Sequence, residues 1–302
     1  MSLIVTGSIG IDTIITPTGR ADKVLGGSCT YFAAAASFFA PVRILGAVGE
    51  DFPDEHMKIF EHFAADTKGL ERRAGSKTFS WTGKYLENMN ERETLEVHPN
   101  VLEEPLPPVP EEYRDSQYVF LANTHPASQL ELREQFPDAK LVVADTMDLW
   151  INTAADELKQ VMKRIDGLVL NDSEAQLLTG ESNMISASHK IVEMGPKFVV
   201  IKKGEHGCLL QHVDGTGVLH AYPAMNVVDP TGAGDSFGGA MMGYLAAEDM
   251  VDLPRIKRSL AYGTIVASFT IEAFSLQRLT EISRGDIDQR LSEFADLIRF
   301  EE

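Results

Sequence analysis

A carboxylic acid set directly after three small residues can lie beside a bound anion and take a proton from the group that attacks it. Asp235 is placed in this way. The string Val227-Val228-Asp229-Pro230-Thr231-Gly232-Ala233-Gly234-Asp235-Ser236-Phe237 reads as a strand end, a tight turn and a first helical turn, and Gly238-Gly239 leads on into an apolar helix over 240–247. Small side chains let an anion approach the backbone, the amides point one way, and the helix dipole adds about half a positive charge there. An acid at that point can deprotonate a hydroxyl attacking a phosphate. Gly-Ala-Gly alone would signify only a tight turn followed by a dipole-favoured acid.

The other residues with chemical potential follow short apolar runs. Strands are expected at 118–122, 141–144, 167–170 and 198–201, and Asn123, Asp145, Asn171 and Lys202 come directly after them. Helical stretches separate the runs, which is the pattern of a parallel sheet covered on both faces, and such sheets bind ligands beyond the carboxyl ends of their strands. Asn171-Asp172-Ser173-Glu174 forms a capping box by residue type, which would itself explain the pair. Its position after a strand favours a functional role as well. Lys202-Lys203-Gly204 makes a turn in which Lys203 and the nearby His206 read as solvent residues.

Earlier in the chain, 3–12 reads as a buried strand ending in a turn that carries Asp12. Gly26-Gly27 precedes an uncharged helix over 31–40, the next strand lies at 44–48 and a helix at 56–65. From Thr78 the period changes to two. Residues 78–86 and 93–97 flank the turn-prone Asn88-Met89-Asn90, which predicts a β-hairpin in a separate small sheet. The proline-rich 105–110 is a linker, and a last apolar helix spans 259–274.

With 302 residues, 44% of them hydrophobic, the chain can bury one large α/β core plus a small appendage. A net charge of −18 argues against nucleic acid or an acidic membrane as partner and requires any polyphosphate to be met by local donors and a divalent metal. No run approaches the roughly twenty apolar residues of a membrane span, and the N-terminus reads as a strand rather than a signal peptide. Cys29 and Cys208, far apart in the chain, argue against a disulfide framework and for a reducing cytoplasm. Neither G-x-x-x-x-G-K-[ST] nor G-x-G-x-x-G occurs, which weakens P-loop and dehydrogenase readings.

The eleven-residue string resembles the D-T-x-G-A-G-D signature of the ribokinase (PfkB) family of carbohydrate and nucleoside kinases, with Pro230-Thr231 in place of the commoner Thr-Ala. The resemblance implies a ribokinase-like, doubly wound, mainly parallel sheet with helices on both faces, as one kinase domain over 1–302. A small β-lid would be built from 13–25 and 78–98; it covers the sugar and in this family often meets a second subunit, giving a homodimer. It further implies ATP and Mg²⁺, Asp235 as catalytic base, and Gly232, Ala233 and Gly234 as the anion hole. Asp12, Gly26 and Gly27 match the acceptor-binding positions. Asn171 and Glu174 match N-x-x-E, which positions phosphates and, mostly through water, Mg²⁺, while Lys202 and Gly204 match the nucleotide-side turn. Helix 259–274 would pack against the purine.

Two departures bear on the acceptor. Tyr31 stands where the family has Asn; a tyrosine there can stack on a ring or fill the core, the plainer reading being core. Asp145 survives from D-P-N-x-R, but Met147 and Leu149 replace its Asn and Arg. The expected activity is ATP-dependent phosphorylation of a hydroxymethyl group on a small sugar or related polyhydroxy compound. A nucleoside kinase, with Tyr31, Phe32 or Trp150 facing the base, and a non-catalytic sugar sensor are the alternatives; intact Asp235 and its glycines favour an enzyme.

Overall fold

Short runs with apolar residues at every position cannot leave either face in water, so they assemble into a sheet covered on both sides. The computed structural model describes residues 1–299. Among them the strands are β1 (Leu3–Thr6), β2 (Gly10–Thr16), β3 (Gly19–Gly26), β4 (Val42–Gly49), β5 (Asp66–Arg73), β6 (Phe79–Tyr85), β7 (Arg92–His98), β8 (Tyr118–Leu121), β9 (Leu141–Asp145), β10 (Gly167–Asn171), β11 (Phe198–Lys202), β12 (Cys208–His212) and β13 (Gly215–Leu219). The helices are α1 (Ser28–Ser37), α2 (Asp54–His62), α3 (Pro126–Glu134), α4 (Asp148–Thr153), α5 (Ala155–Met162), α6 (Asp172–Thr179), α7 (Met184–Glu193), α8 (Ala233–Glu248), α9 (Leu253–Thr270), α10 (Gln277–Glu281) and α11 (Arg284–Leu297).

The main sheet has nine strands in the order β13-β12-β11-β10-β9-β8-β1-β4-β5. From β5 to β11 all neighbours are parallel, and β12 and β13 add an antiparallel edge. Alternate residues of each strand enter opposite cores. Leu3, Val5, Tyr118, Phe120, Leu141 and Val143 join α1, α8, α9 and α11 on one face. Ile4, Val119, Leu121, Val142 and Ala144 join α3, α5, α6 and α7 on the other. The chain winds from β1 to β4 and β5 on one side and later from β8 outward on the other, so its switch point lies between β1 and β8, where such sheets open a ligand crevice.

A second sheet runs β3-β2-β6-β7, with β2 and β6 parallel and the other pairs antiparallel. The expected hairpin at 78–97 is β6–β7 and lies outside the main sheet. The other expected lid segment, 13–25, is mostly strand, because β2 and β3 pair across a tight turn. The strand expected over 3–12 is likewise divided. The chain leaves the main sheet after Thr6, Ser8 N–H donates to Ser28 Oγ at 3.2 Å, and Ser8 O accepts from Cys29 N–H at 3.0 Å. Asp12 is therefore mid-strand in β2, in the small sheet, rather than at the end of a turn. Cys29 and Cys208 are both free and buried.

Val227-Val228 is also a correction, since no strand precedes the signature turn. The N–H groups of Val228 and Asp229 donate to Ile271 O at 2.8 and 3.3 Å, so the turn hangs from the end of α9. β-Branching gave the strand signal, but the donors that a ladder would need are already used.

Candidate active site

Helix α8 begins at the signature turn. Its N-cap, Gly232, has φ 75°, a left-handed conformation that glycine adopts without strain, and no side chain caps the helix. Asp229, wholly buried, ties the turn together: its Oδ1 accepts from Thr231 N–H at 2.9 Å. Ala233 N–H donates back to Pro230 O at 3.2 Å, so of the three expected anion-hole amides, those of Gly232 and Gly234 are the ones left for a ligand. The Lys202 ammonium lies over the same turn; a Cβ on Gly234 would come within 2.9 Å of its Nζ.

Asp235 sits in the first turn of α8. The dipole favours its charge, yet its pKa is pushed up to about 7, first by burial and then by the neighbouring Asp145; Lys202 and Arg92 act in the opposite sense. A carboxyl poised near neutrality suits a general base.

Three strand ends supply a second group. Asp145, Asn171 and Lys202 are the last residues of β9, β10 and β11, and Asn171 pairs with Lys202 in the ladder. Lys202 Nζ lies 3.6 Å from Asp145 Oδ2. Burial opposes the lysine's charge, but Asp145, Glu174 and Asp235 outweigh it and keep the ammonium protonated. Asn171 and Glu174 form the expected capping box around α6, with Asn171 Oδ1 accepting from Glu174 N–H and Glu174 Oε2 from Asn171 N–H, both at 2.8 Å. The box fixes Glu174 beside Asp145, and its pKa is pushed up to about 7 by burial and by that neighbour. The capping role and the electrostatic one coexist. Gly204 opens the turn after β11 at φ 53°, with little around it except Asn90 Oδ1 of the β6–β7 turn, 3.7 Å from where a Cβ would stand.

On the opposite flank, Asp12 projects from β2 onto Gly26, where any Cβ would overlap its carboxylate. Burial and Asp229 push its pKa to about 7, and Asp235 adds to the rise, so the acid of the signature turn acts on the acid of the small sheet. Gly27 turns the chain into α1 at φ 95°, packed on Ser8 and Ile9 backbone. Tyr31 is fully buried in α1 with its ring against Gly232.

The small sheet reaches the signature turn and the turn after β11 through contacts that residue types do not announce. Thr231 Oγ1 donates to Tyr85 Oη of β6 at 3.2 Å, Thr18 Oγ1 donates to Val228 O at 3.1 Å, and Asn90 Nδ2 donates to Glu205 Oε1 at 3.5 Å. Arg92 pairs with Tyr85 across the hairpin and shares its face of the sheet. Beyond β8, Asn123 Oδ1 accepts from Trp150 Nε1 at 2.8 Å, which orients the side of the crevice where the D-P-N-x-R pattern is lost.

The sequence model of the pfkB family carbohydrate kinases matches residues 5–282. The chain belongs to that family. It is therefore a phosphotransferase with a hydroxyl group as acceptor. A cytidine kinase of Thermococcus kodakarensis is 28% identical over 265 residues, covering 85% of this chain and 93% of the relative. In fold it is similar to a Burkholderia thailandensis nucleoside kinase solved with inosine, at TM-score 0.79, 18% identity, 96% of this chain and 97% of that one. It is likewise similar to a ribokinase II candidate of E. coli solved with ATP and Mg²⁺, at TM-score 0.77, 20% identity, 97% of this chain and 99% of that one.

Proposed function

We propose that this PfkB kinase transfers the γ-phosphoryl group of ATP to a hydroxymethyl group of a small sugar or related polyhydroxy acceptor, with Asp235 as base. The observation that carries the reading is the meeting of Asp235, an acid near neutrality, and Lys202, a buried cation for phosphate, at the N-terminus of α8; Asp12, whose proton affinity Asp235 raises, is the acid for the acceptor. Asp235 takes the proton of the attacking hydroxyl. The amides of Gly232 and Gly234 and the Lys202 ammonium offset charge on the moving phosphoryl group. Gly204 leaves the nucleotide side open.

Among the described residues no three His, Cys, Asp or Glu side chains gather to hold a metal by themselves. That fits Mg²⁺, which usually keeps several waters and binds through one or two carboxylates and substrate phosphates. Asp145 raises the proton affinity of Glu174, which burial has already raised, so a cation held near Glu174 through water would relieve that carboxylate. Bound there, Mg²⁺ would screen phosphate charge.

We read the 13–25 and 78–98 segments as a lid on one kinase domain; the Tyr85, Thr18 and Asn90 contacts support this, and closure would exclude water. Leu95 and Val97, 53% and 49% exposed on β7, support a homodimer through the lid. The expected compartment is the cytoplasm. Among the described residues no helix is long and apolar enough to cross a membrane. The Thermococcus cytidine kinase, matched over 85% of this chain, favours a nucleoside as the second reading. Measuring ADP release with Mg²⁺ and ATP across sugars, polyols and nucleosides tests both. Acceptor-dependent release that EDTA abolishes is expected, and release indifferent to every hydroxylated acceptor would overturn the assignment.

A further inference from the structure

Ser275 holds a backbone conformation that its side chain opposes. It lies at φ 54° in the turn between α9 and α10, buried, where glycine would sit without strain. A left-handed residue with a side chain persists where its surroundings over-determine it. What glycine would lack here is the hydroxyl. Ser275 Oγ donates to Leu25 O at 2.5 Å, and Ser275 N–H donates to Asp229 Oδ2 at 3.5 Å. Leu25 directly precedes the Gly26-Gly27 pair at the end of β3, and Asp229 is the acid that ties the signature turn together.

The rest of the 271–275 segment makes the same two attachments. Ile271 O accepts from Val228 and Asp229 N–H at 2.8 and 3.3 Å, on the side of the turn. On the side of the small sheet, the Phe274 ring lies 3.5 Å from where a Cβ on Gly19, the first residue of β3, would stand. Glu272, between them, is held by Arg278 of α10 at 2.9 Å and by Arg290 of α11 at 2.8 Å, which fixes the segment to the body of the protein. An attacking hydroxyl and the phosphoryl group it meets must be placed to within a fraction of an ångström. In this protein the two sides belong to different elements, the small sheet and the start of α8. We propose that Ser275 is a positioning residue for phosphoryl transfer: its hydroxyl ties the end of β3 to the segment from which the signature turn hangs, so that both sides keep one relative placement. It acts through Leu25 and Asp229 and touches neither substrate. The proposal rests on the reading of the signature turn as the phosphoryl site.

Ser275→Ala and Ser275→Gly separate the hydroxyl from the backbone. Both delete the bond to Leu25, whereas only glycine also relieves the left-handed conformation, so the Gly variant should melt above the Ala variant. Activity should follow the hydroxyl instead. With Mg²⁺, ATP and the best of D-ribose, D-fructose and cytidine, kcat should fall about 10-fold in both variants alike, while KM for ATP stays within about twofold of wild type. Hydrogen exchange of the ligand-free protein is a second readout that needs no acceptor: the amides of Val228 and Asp229 should exchange faster in both variants, and those of β9 and β10 should not change. A kcat that recovers in the Gly variant would make Ser275 a structural residue only and overturn the proposal, as would unchanged exchange at Val228 and Asp229. A wild type that turns over none of the three acceptors would overturn the acceptor reading alone, and the exchange result would still decide the role of Ser275.

Discussion

Asp235 occupies a first helical turn, where a carboxylate is ordinarily favoured in its charged form. Burial and Asp145 reverse this and bring its pKa to about 7. Because the base must be deprotonated to act, kcat/KM should rise with pH through about 7 and level off above it. An unperturbed carboxylate would place that rise near pH 4. Asp12 and Glu174 are also pushed to about 7, so the limb should be steeper than one proton allows. A pH profile of kcat/KM from 5 to 9 checks this, and a flat profile would contradict it. The place of Asp235 in the first turn of α8 was legible in the sequence because it is local, set by the residues on either side of it. Tyr85 and Arg92 were not, since they reach the site only by the fold of a second sheet and nothing in their types or spacing marks it.

The elements were legible wherever one physical signal dominated. Runs such as Leu141–Asp145 and Phe198–Lys202 are apolar on both faces because both are buried, and the alternation at 78–97 marked the hairpin of a second sheet, although β7 is exposed along its whole length and β6 is only partly covered. Failures came where a local preference met a distant partner. Val227-Val228 is β-branched but gives its backbone donors to Ile271, and the strand begun at Leu3 breaks because Ser8 is claimed by Ser28 and Cys29. Helices α1 and α8 show what local reading leaves out. They carry Tyr31 and Asp235 and touch so closely that a Cβ on Gly239 would overlap the carbonyl of Phe32. Gly239→Ala should therefore push them apart, lowering stability by about 1–3 kcal/mol in denaturant titration and reducing kcat with it. Gly285→Ala in α11, whose added methyl would meet only Ser283 Oγ at 3.5 Å, should cost nothing. Equal behaviour of the two variants would refute the close-approach argument.

Across the whole molecule, the site gathers acids in a chain that already carries a net charge of −18. Asp12, Glu174 and Asp235 have folded pKa values near 7 against ordinary unfolded values. Such groups add stability below the unfolded pKa and lose that contribution as pH rises through the folded one. The ligand-free protein should thus melt lower at pH 8 than at pH 5, so the arrangement that favours proton transfer weakens the fold that holds it. Asp235→Asn probes both consequences, since the amide keeps the size of the acid, carries no charge and accepts no proton. If Asp235 is the base, kcat at pH 8 should fall by a factor on the order of 10² to 10⁴ with the acceptor KM little changed, while the ligand-free melting temperature holds or rises. A variant with near-normal kcat, or one whose only loss is about 1 kcal/mol of stability from a weakened helix start, would contradict the account.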